Sequence, residues 1–320
     1  MNILIVRNDK LGDFITALPS CEILKNYNPQ NRIVVLVAPL NEELAKTCNF
    51  IDEVIVDRGE SVFELAKKIK KHNIDASITL FSNTRVAIAQ FLAGIKERIA
   101  PATKIAQIFY NKRIKQRRSQ VKMAEFEYNL ELVKVLFSDI SLEYPKPLCV
   151  FNDAKEVYAR FCKEYGITKE VIAFHPGFGG SSDANFSNEE YIEMIEAVLE
   201  TDRYDVVLTF GPDEIALAEF FQNALKKNDV KFYISQKGIV NFAKIISGFK
   251  LFVSTSTGTY HLASLVGTTT LTFFADTLFA SAKRWKSIGD EKLQKHLMLP
   301  EDEAGRKEKL KEAISFLAHY

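Results

Sequence analysis

Short apolar runs alternate with longer amphipathic stretches along nearly the whole chain. In the first half the runs fall at 3–6, 33–37, 54–56 and 76–80. Each is almost continuously apolar, which predicts strands buried on both faces. After the first run, Phe14, Ala17, Leu18, Cys21 and Leu24 recur at offsets of 3, 4, 7 and 10, one face of a helix. The second half repeats the scheme, with strands predicted at 171–174, 206–210, 232–234, 249–253 and 269–274. Helical patterns there cover 189–200, 213–226, 239–247 and 260–266, and Ser187 with Glu190 three positions on forms a capping box for the first of them. Strands separated by helices predict an α/β protein with parallel sheets.

The chain of 320 residues is long enough for two domains, each with its own core. The two prolines of "YPKPLCVFND" mark the junction, giving 1–148 and 149–302 as two Rossmann-like domains. Residues 303–320 read as a charged amphipathic helix that packs on either domain, a return to 1–148 included. Ligands of open parallel sheets sit beyond the carboxyl ends of the strands. Asp13, 174–182, 211–214 and 254–261 all follow predicted strands, so they are expected to converge on one cleft.

Composition narrows the function classes. Hydrophobic residues make up 47% and charged residues 26%, a globular balance. A net charge of +1 gives no general case for nucleic acid. Cys21, Cys48, Cys149 and Cys162 are widely spaced, which argues against zinc or a disulfide framework and for a reducing cytoplasm. No stretch nears the roughly 20 apolar residues of a membrane span. The HExxH, GxSxG and Cys/His-cluster patterns are absent, so no metal or other cofactor is expected.

Four segments carry candidate chemistry. "RNDKLGDF" (7–14) puts Asp13 in a strand-to-helix turn, beside Arg7 and Lys10. Asp13 reads either as a base or as a helix cap. "GFGGSSDANFSNEEY" (177–191) follows a strand, and its glycines with Ser181 and Ser182 suit a phosphate loop as well as an ordinary connection. In "FVSTSTGTYHLASLVG" (252–267), Ser256, Thr257 and Gly258 open a helix whose N–H groups suit a diphosphate. His261 reads equally as a donor to that anion or as a packed core histidine. "LTFGPDE" (208–214) sets Gly211 and Glu214 past a strand, where Glu214 accepts from ribose hydroxyls or stabilises its own helix. Residues 98–124 hold eight cations and no acid, Arg113, Arg117 and Arg118 among them. They suit a solvated loop, an anionic acceptor or a lipid headgroup surface.

With these motifs in hand, the chain resembles the glycosyltransferase family 9 heptosyltransferases over nearly its whole length. "RNDKLGDFITALPSCEILKNYNP" is similar to that family's opening pattern, and "FIDEVIVDRG", "IDASITLFSN" and "GIKERIAP" to its next segments. "HPGFGGSS", "LTFGPDE", "STSTGTYHLAS" and "FFADTLFASAKRW" follow in the family's order. The resemblance implies a GT-B fold, with an acceptor domain at 1–148 and a nucleotide-sugar domain at 149–302. It implies metal-independent inverting transfer of a heptose, from ADP-heptose to a lipopolysaccharide core acceptor. Asp13 falls on the family's proposed base, Ser181, Ser182, Thr257, Gly258 and His261 on its donor-phosphate residues, and Glu214 on its nucleoside contact. Ser256 stands where the family commonly has an acid. Ala184 and Phe186 stand where it often has a lysine and a tryptophan. Those departures suggest altered donor geometry, a different sugar or reduced activity.

The expected partners are a nucleotide-sugar donor, an anionic glycolipid acceptor met by Arg7, Lys10, Arg113, Arg117 and Arg118, and the inner face of the inner membrane. Nucleic acid is not expected, since no reading module is present. Two other readings fit the same scaffold: a nucleotide-sugar epimerase, and a non-catalytic sugar-nucleotide or glycan-binding protein.

Overall fold

The structure, a computed structural model, describes residues 1–178 and 185–320. It divides into two compact units, Met1–Pro145 and Lys146–Tyr320. The first contains strands β1 (Asn2–Arg7), β2 (Arg32–Val37), β3 (Glu53–Val56), β4 (Ala76–Thr79), β5 (Glu97–Pro101) and β6 (Lys112–Ile114). The second contains β7 (Val171–His175), β8 (Asp205–Phe210), β9 (Val230–Ile234), β10 (Leu251–Thr255), β11 (Thr270–Ala275) and β12 (Gln294–Leu299).

Each unit has one six-stranded sheet with every strand parallel to its neighbours. The order is β3-β2-β1-β4-β5-β6 in the first and, read from the other edge, β9-β8-β7-β10-β11-β12 in the second. Both are the doubly wound Rossmann order, which reverses direction between its first and fourth strands. The carboxyl ends of β1 and β4, and of β7 and β10, are therefore where each unit should take a ligand.

The central strands are buried along their apolar runs, with only the polar first residues of β1 and β2 partly open. Three strands carry no such run. β5 ends in a proline, β6 is the exposed edge segment "KRI", and β12 is an edge strand buried only in part. Edge strands face water and tolerate charge, so hydrophobicity does not announce them. The helix expected after β1 is two helices, Leu11–Ile15 and Leu18–Tyr27. Pro19 in the first turn of the second lacks an N–H and crowds the carbonyl four residues back, which breaks the run. The Ser187–Glu190 capping box is formed, with Glu190 N–H on Ser187 Oγ and Ser187 N–H on the Glu190 carboxylate.

The C-terminal helix, Glu303–His319, buries Leu310, Ala313 and Leu317 in the core of the second unit, against the helix Asn188–Glu200. Its apolar face is spent there, where the sequence leaves open a return to residues 1–148.

Candidate functional site

In the first unit, β1 delivers Arg7 to the carboxyl end of the sheet's central strand. The side chain is 3% exposed, and a buried guanidinium needs acids around it. Three supply it. Its Nε donates to Asp9 Oδ1 at 2.9 Å, one terminal nitrogen bonds Asp13 Oδ1, and the other meets Glu125 Oε1 at 3.5 Å. Glu125 also takes an ion pair from Arg118. Burial alone would lower the Arg7 pKa, but the three carboxylates reverse that and leave it raised.

Asp13 sits in the first turn of Leu11–Ile15, whose N-cap position is Lys10. The Asp13 carboxylate is turned to Arg7, so the helix-cap reading fails. Its side chain keeps 17% of its surface open, enough to meet a substrate. Its backbone carbonyl accepts from Thr16 Oγ at 2.7 Å, and Asn129 holds Thr16 in turn. Asp9 is a residue that sequence reasoning missed. Burial pushes its carboxyl up to about 6, against the pull of Arg7 and with the help of the Asp13 charge.

The expected acceptor cations divide. Arg7 is internal and Arg118 is paired, whereas Lys10, Arg113 and Arg117 are exposed.

In the second unit, β7 ends in His175 and β8 leads to Gly211 and Glu214. His175 is buried and shares a hydrogen bond of 3.0 Å between Nδ1 and Thr209 Oγ. Thr209 also donates to the Phe174 carbonyl at 3.2 Å. Burial lowers the His175 pKa, although Glu214, 3.9 Å from its Nε2, acts the other way. Glu214 is the N-cap of Ile215–Ala224 but makes no capping bond. Its carboxylate instead accepts from Gly211 N–H at 2.7 Å. A Cβ on Gly177 would lie 2.0 Å from a Glu214 oxygen, so a side chain there would displace that carboxylate.

Ser256, Thr257, Gly258 and His261 follow β10. Ser256 N–H still bonds the Phe273 carbonyl at 2.9 Å, which ties this position to the sheet. Thr257 is the N-cap of Gly258–Leu265, yet its hydroxyl bonds Thr259 at 2.9 Å and leaves the helix N–H groups uncapped by a side chain. That is a donor set for an anion. His261 is buried, and its Nδ1 shares a 3.0 Å hydrogen bond with Ser287 Oγ. Burial, with His296 adding to it, pushes His261 down to about 3. It is neutral at physiological pH, so it can serve an anion only as an uncharged N–H donor. Ser181, Ser182 and Ala184 lie outside the described residues. Phe186 is buried, with its ring 4.7 Å from Phe273. Among the described residues no helix is long and apolar enough to cross a membrane.

The model of "Glycosyltransferase family 9 (heptosyltransferase)" matches residues 62–313. A Haemophilus influenzae protein provisionally described as a glycosyltransferase is 37% identical over 306 residues, covering 92% of this chain and 88% of its own. Among solved structures, E. coli ADP-heptose LPS heptosyltransferase II is similar at a TM-score of 0.79, with 16% identity over 99% of both chains. A UDP-GlcNAc 2-epimerase from Methanocaldococcus jannaschii is similar at 0.57, with 13% identity over all of this chain and 92% of its own.

Proposed function

The chain belongs to glycosyltransferase family 9, and from that membership we propose that it moves a heptose from ADP-heptose to a lipopolysaccharide-type core acceptor, inverting the anomeric carbon and using no metal. The observation that carries the reading is the Asp13 carboxylate, bonded to the buried Arg7 and still open to solvent. In the proposed step the acceptor hydroxyl oxygen attacks the anomeric carbon, and the bond from that carbon to the diphosphate breaks. Asp13 takes the hydroxyl proton, and the bonding pair leaves on the diphosphate oxygen. The N–H groups opening Gly258–Leu265, with Thr257 and a neutral His261, hold that leaving group; Ser181 and Ser182 are assigned to it as well.

Metal independence enters the proposal through the family membership; the carboxylates of Asp9, Asp13 and Glu125 are committed to the Arg7 guanidinium. Glu214 and Gly211 are assigned to the nucleoside. The structurally similar E. coli protein is an ADP-heptose LPS heptosyltransferase by name, and we assign the same donor here on the family membership. The epimerase alternative has only a shared fold behind it. A nucleotide donor and a lipid-borne acceptor meet at the cytoplasmic face of the inner membrane, and we place the enzyme there as a peripheral protein.

Asp13→Asn tests the proposal. It keeps an oxygen for Arg7 but cannot take the proton. Turnover of ADP-heptose with a lipooligosaccharide acceptor, followed as ADP release, should fall by roughly 10²–10⁴-fold, with donor KM little changed. Undiminished turnover would remove Asp13 from the reaction.

A further inference from the structure

A strip of exposed apolar side chains begins beside the Arg7 cluster. Ile105 is 73% exposed, Ile108 66% and Phe91 52%; Leu92 and Phe81 are exposed too. The helix Thr84–Leu92 packs against the short turn Ile105–Phe109, and the Phe91 and Phe109 rings lie 6.0 Å apart. Ala106 and Tyr110 point inward, into a small core with Ala87 and Ala100. Ile105 and Ile108 therefore face out because their neighbours anchor the turn. Single exposed apolar residues are ordinary, but a contiguous set is not.

The strip is tied to the carboxylate site through Phe81, which follows β4 at the point where the strand order reverses. The Arg7 guanidinium lies 5.7 Å from the Phe81 ring centre, and Lys104 Nζ lies 5.0 Å from it. The segment 98–124, which carries Ile105 and Ile108, is positively charged. Lys112 is paired with Glu97 and Arg118 with Glu125, and Arg98 donates to the Phe109 carbonyl at 2.7 Å. Lys104, Arg113, Lys115, Arg117 and Lys122 are exposed, and among the described residues none of them is ion-paired. No acid occurs between residues 98 and 124 to offset them.

We propose that this surface seats on an anionic lipid bilayer, with Ile105 and Ile108 entering the boundary between headgroups and acyl chains and the exposed cations meeting lipid phosphates. Charge complementarity selects the occupant. A few apolar side chains beside unpaired lysines suit shallow insertion at an anionic membrane surface, whereas protein interfaces are depleted in lysine. The inference rests on the proposed lipid-borne acceptor: the strip would set the Asp13 end of the first unit against the layer that carries it.

Co-sedimentation with vesicles of phosphatidylethanolamine mixed with phosphatidylglycerol, compared with phosphatidylcholine alone, tests the surface. The unmodified protein should bind the anionic vesicles preferentially, and added salt should weaken binding. The double variant Ile105→Ser, Ile108→Ser should bind roughly tenfold more weakly, while transfer to a deacylated, water-soluble acceptor is unchanged. In the double variant Trp285→Phe, Ile105→Trp, which removes the native tryptophan, the emission should shift blue when anionic vesicles are added. Equal binding by the double serine variant, or no preference for anionic vesicles, would overturn the inference. Vesicle binding requires neither sugar. Binding without heptose transfer would therefore count against the proposed function alone, and transfer without binding against this surface alone.

Discussion

The two units share a strand order but handle charge in opposite ways at the same topological position. Beyond β1 and β4, the first unit concentrates full charges: one buried arginine, three carboxylates and a second arginine. Beyond β7 and β10, the second offers uncapped helix N–H groups, hydroxyls and histidines that burial keeps neutral. The same scaffold thus suits two tasks. In the first, Arg7 orients the Asp13 carboxylate and balances its charge. In the second, helix N–H groups and hydroxyls form a neutral donor set of the kind that receives an anion.

The contrast breaks most sharply at Arg7. Arg7→Leu would leave Asp9, Asp13 and Glu125 around an apolar side chain, and removing one partner from a buried ionic group costs about 3–5 kcal/mol. Denaturant unfolding should show a loss of that order. A loss within experimental error would mean that the cluster is held together by something other than the guanidinium.

Acidification should separate the units with opposite signs. His261 and His296 have folded pKa values pushed down by burial, to about 3 and about 4. Between those values and the ordinary histidine value of about 6.5, the unfolded chain binds more protons, so the stability they contribute is lost as pH falls. Each should withdraw on the order of 2 kcal/mol from the second unit by about pH 5. Amide protection factors in Gly258–Leu265, corrected for the intrinsic slowing of exchange, should fall between pH 7 and 5. Unchanged protection there would show that the histidines are not buried neutral.

Asp9 gives the smaller, reversed effect. Its folded value of about 6 lies above that of an ordinary aspartate, so the folded state binds more protons between roughly pH 4 and 6. Its contribution to stability falls as pH rises through that window. Asp9→Asn retains an acceptor for Arg7 and should therefore be more stable than the parent at pH 7, on the order of 1–2 kcal/mol, with the gap closing toward pH 4. A gap independent of pH would show that Asp9 does not titrate in this range.

Legibility in the sequence followed the range of the interactions. The central strands, the Ser187 capping box and the strand-to-helix turn at 256–258 are local, and each could be read from neighbouring residues. β6 and β12 were invisible because edge strands have no continuous apolar run to betray them. The acceptor role expected of Arg7 and Arg118 meets a different obstacle: both are committed to Glu125, and Arg7 lies 118 residues from that partner. Glu214 departs from its helix-stabilising reading, since it bonds Gly211 rather than capping its helix.

By itself, the sequence determined two doubly wound halves, the order of their motifs and the placement of Asp13 and Thr257 past strand ends, because hydrophobic period and turn chemistry act over a few residues. Only the tertiary structure decided which acids surround Arg7, that burial raises the Asp9 carboxyl and that burial holds His261 in its neutral form. Those properties depend on distance through space and on exclusion of water, and neither is written in the spacing of residues along a chain.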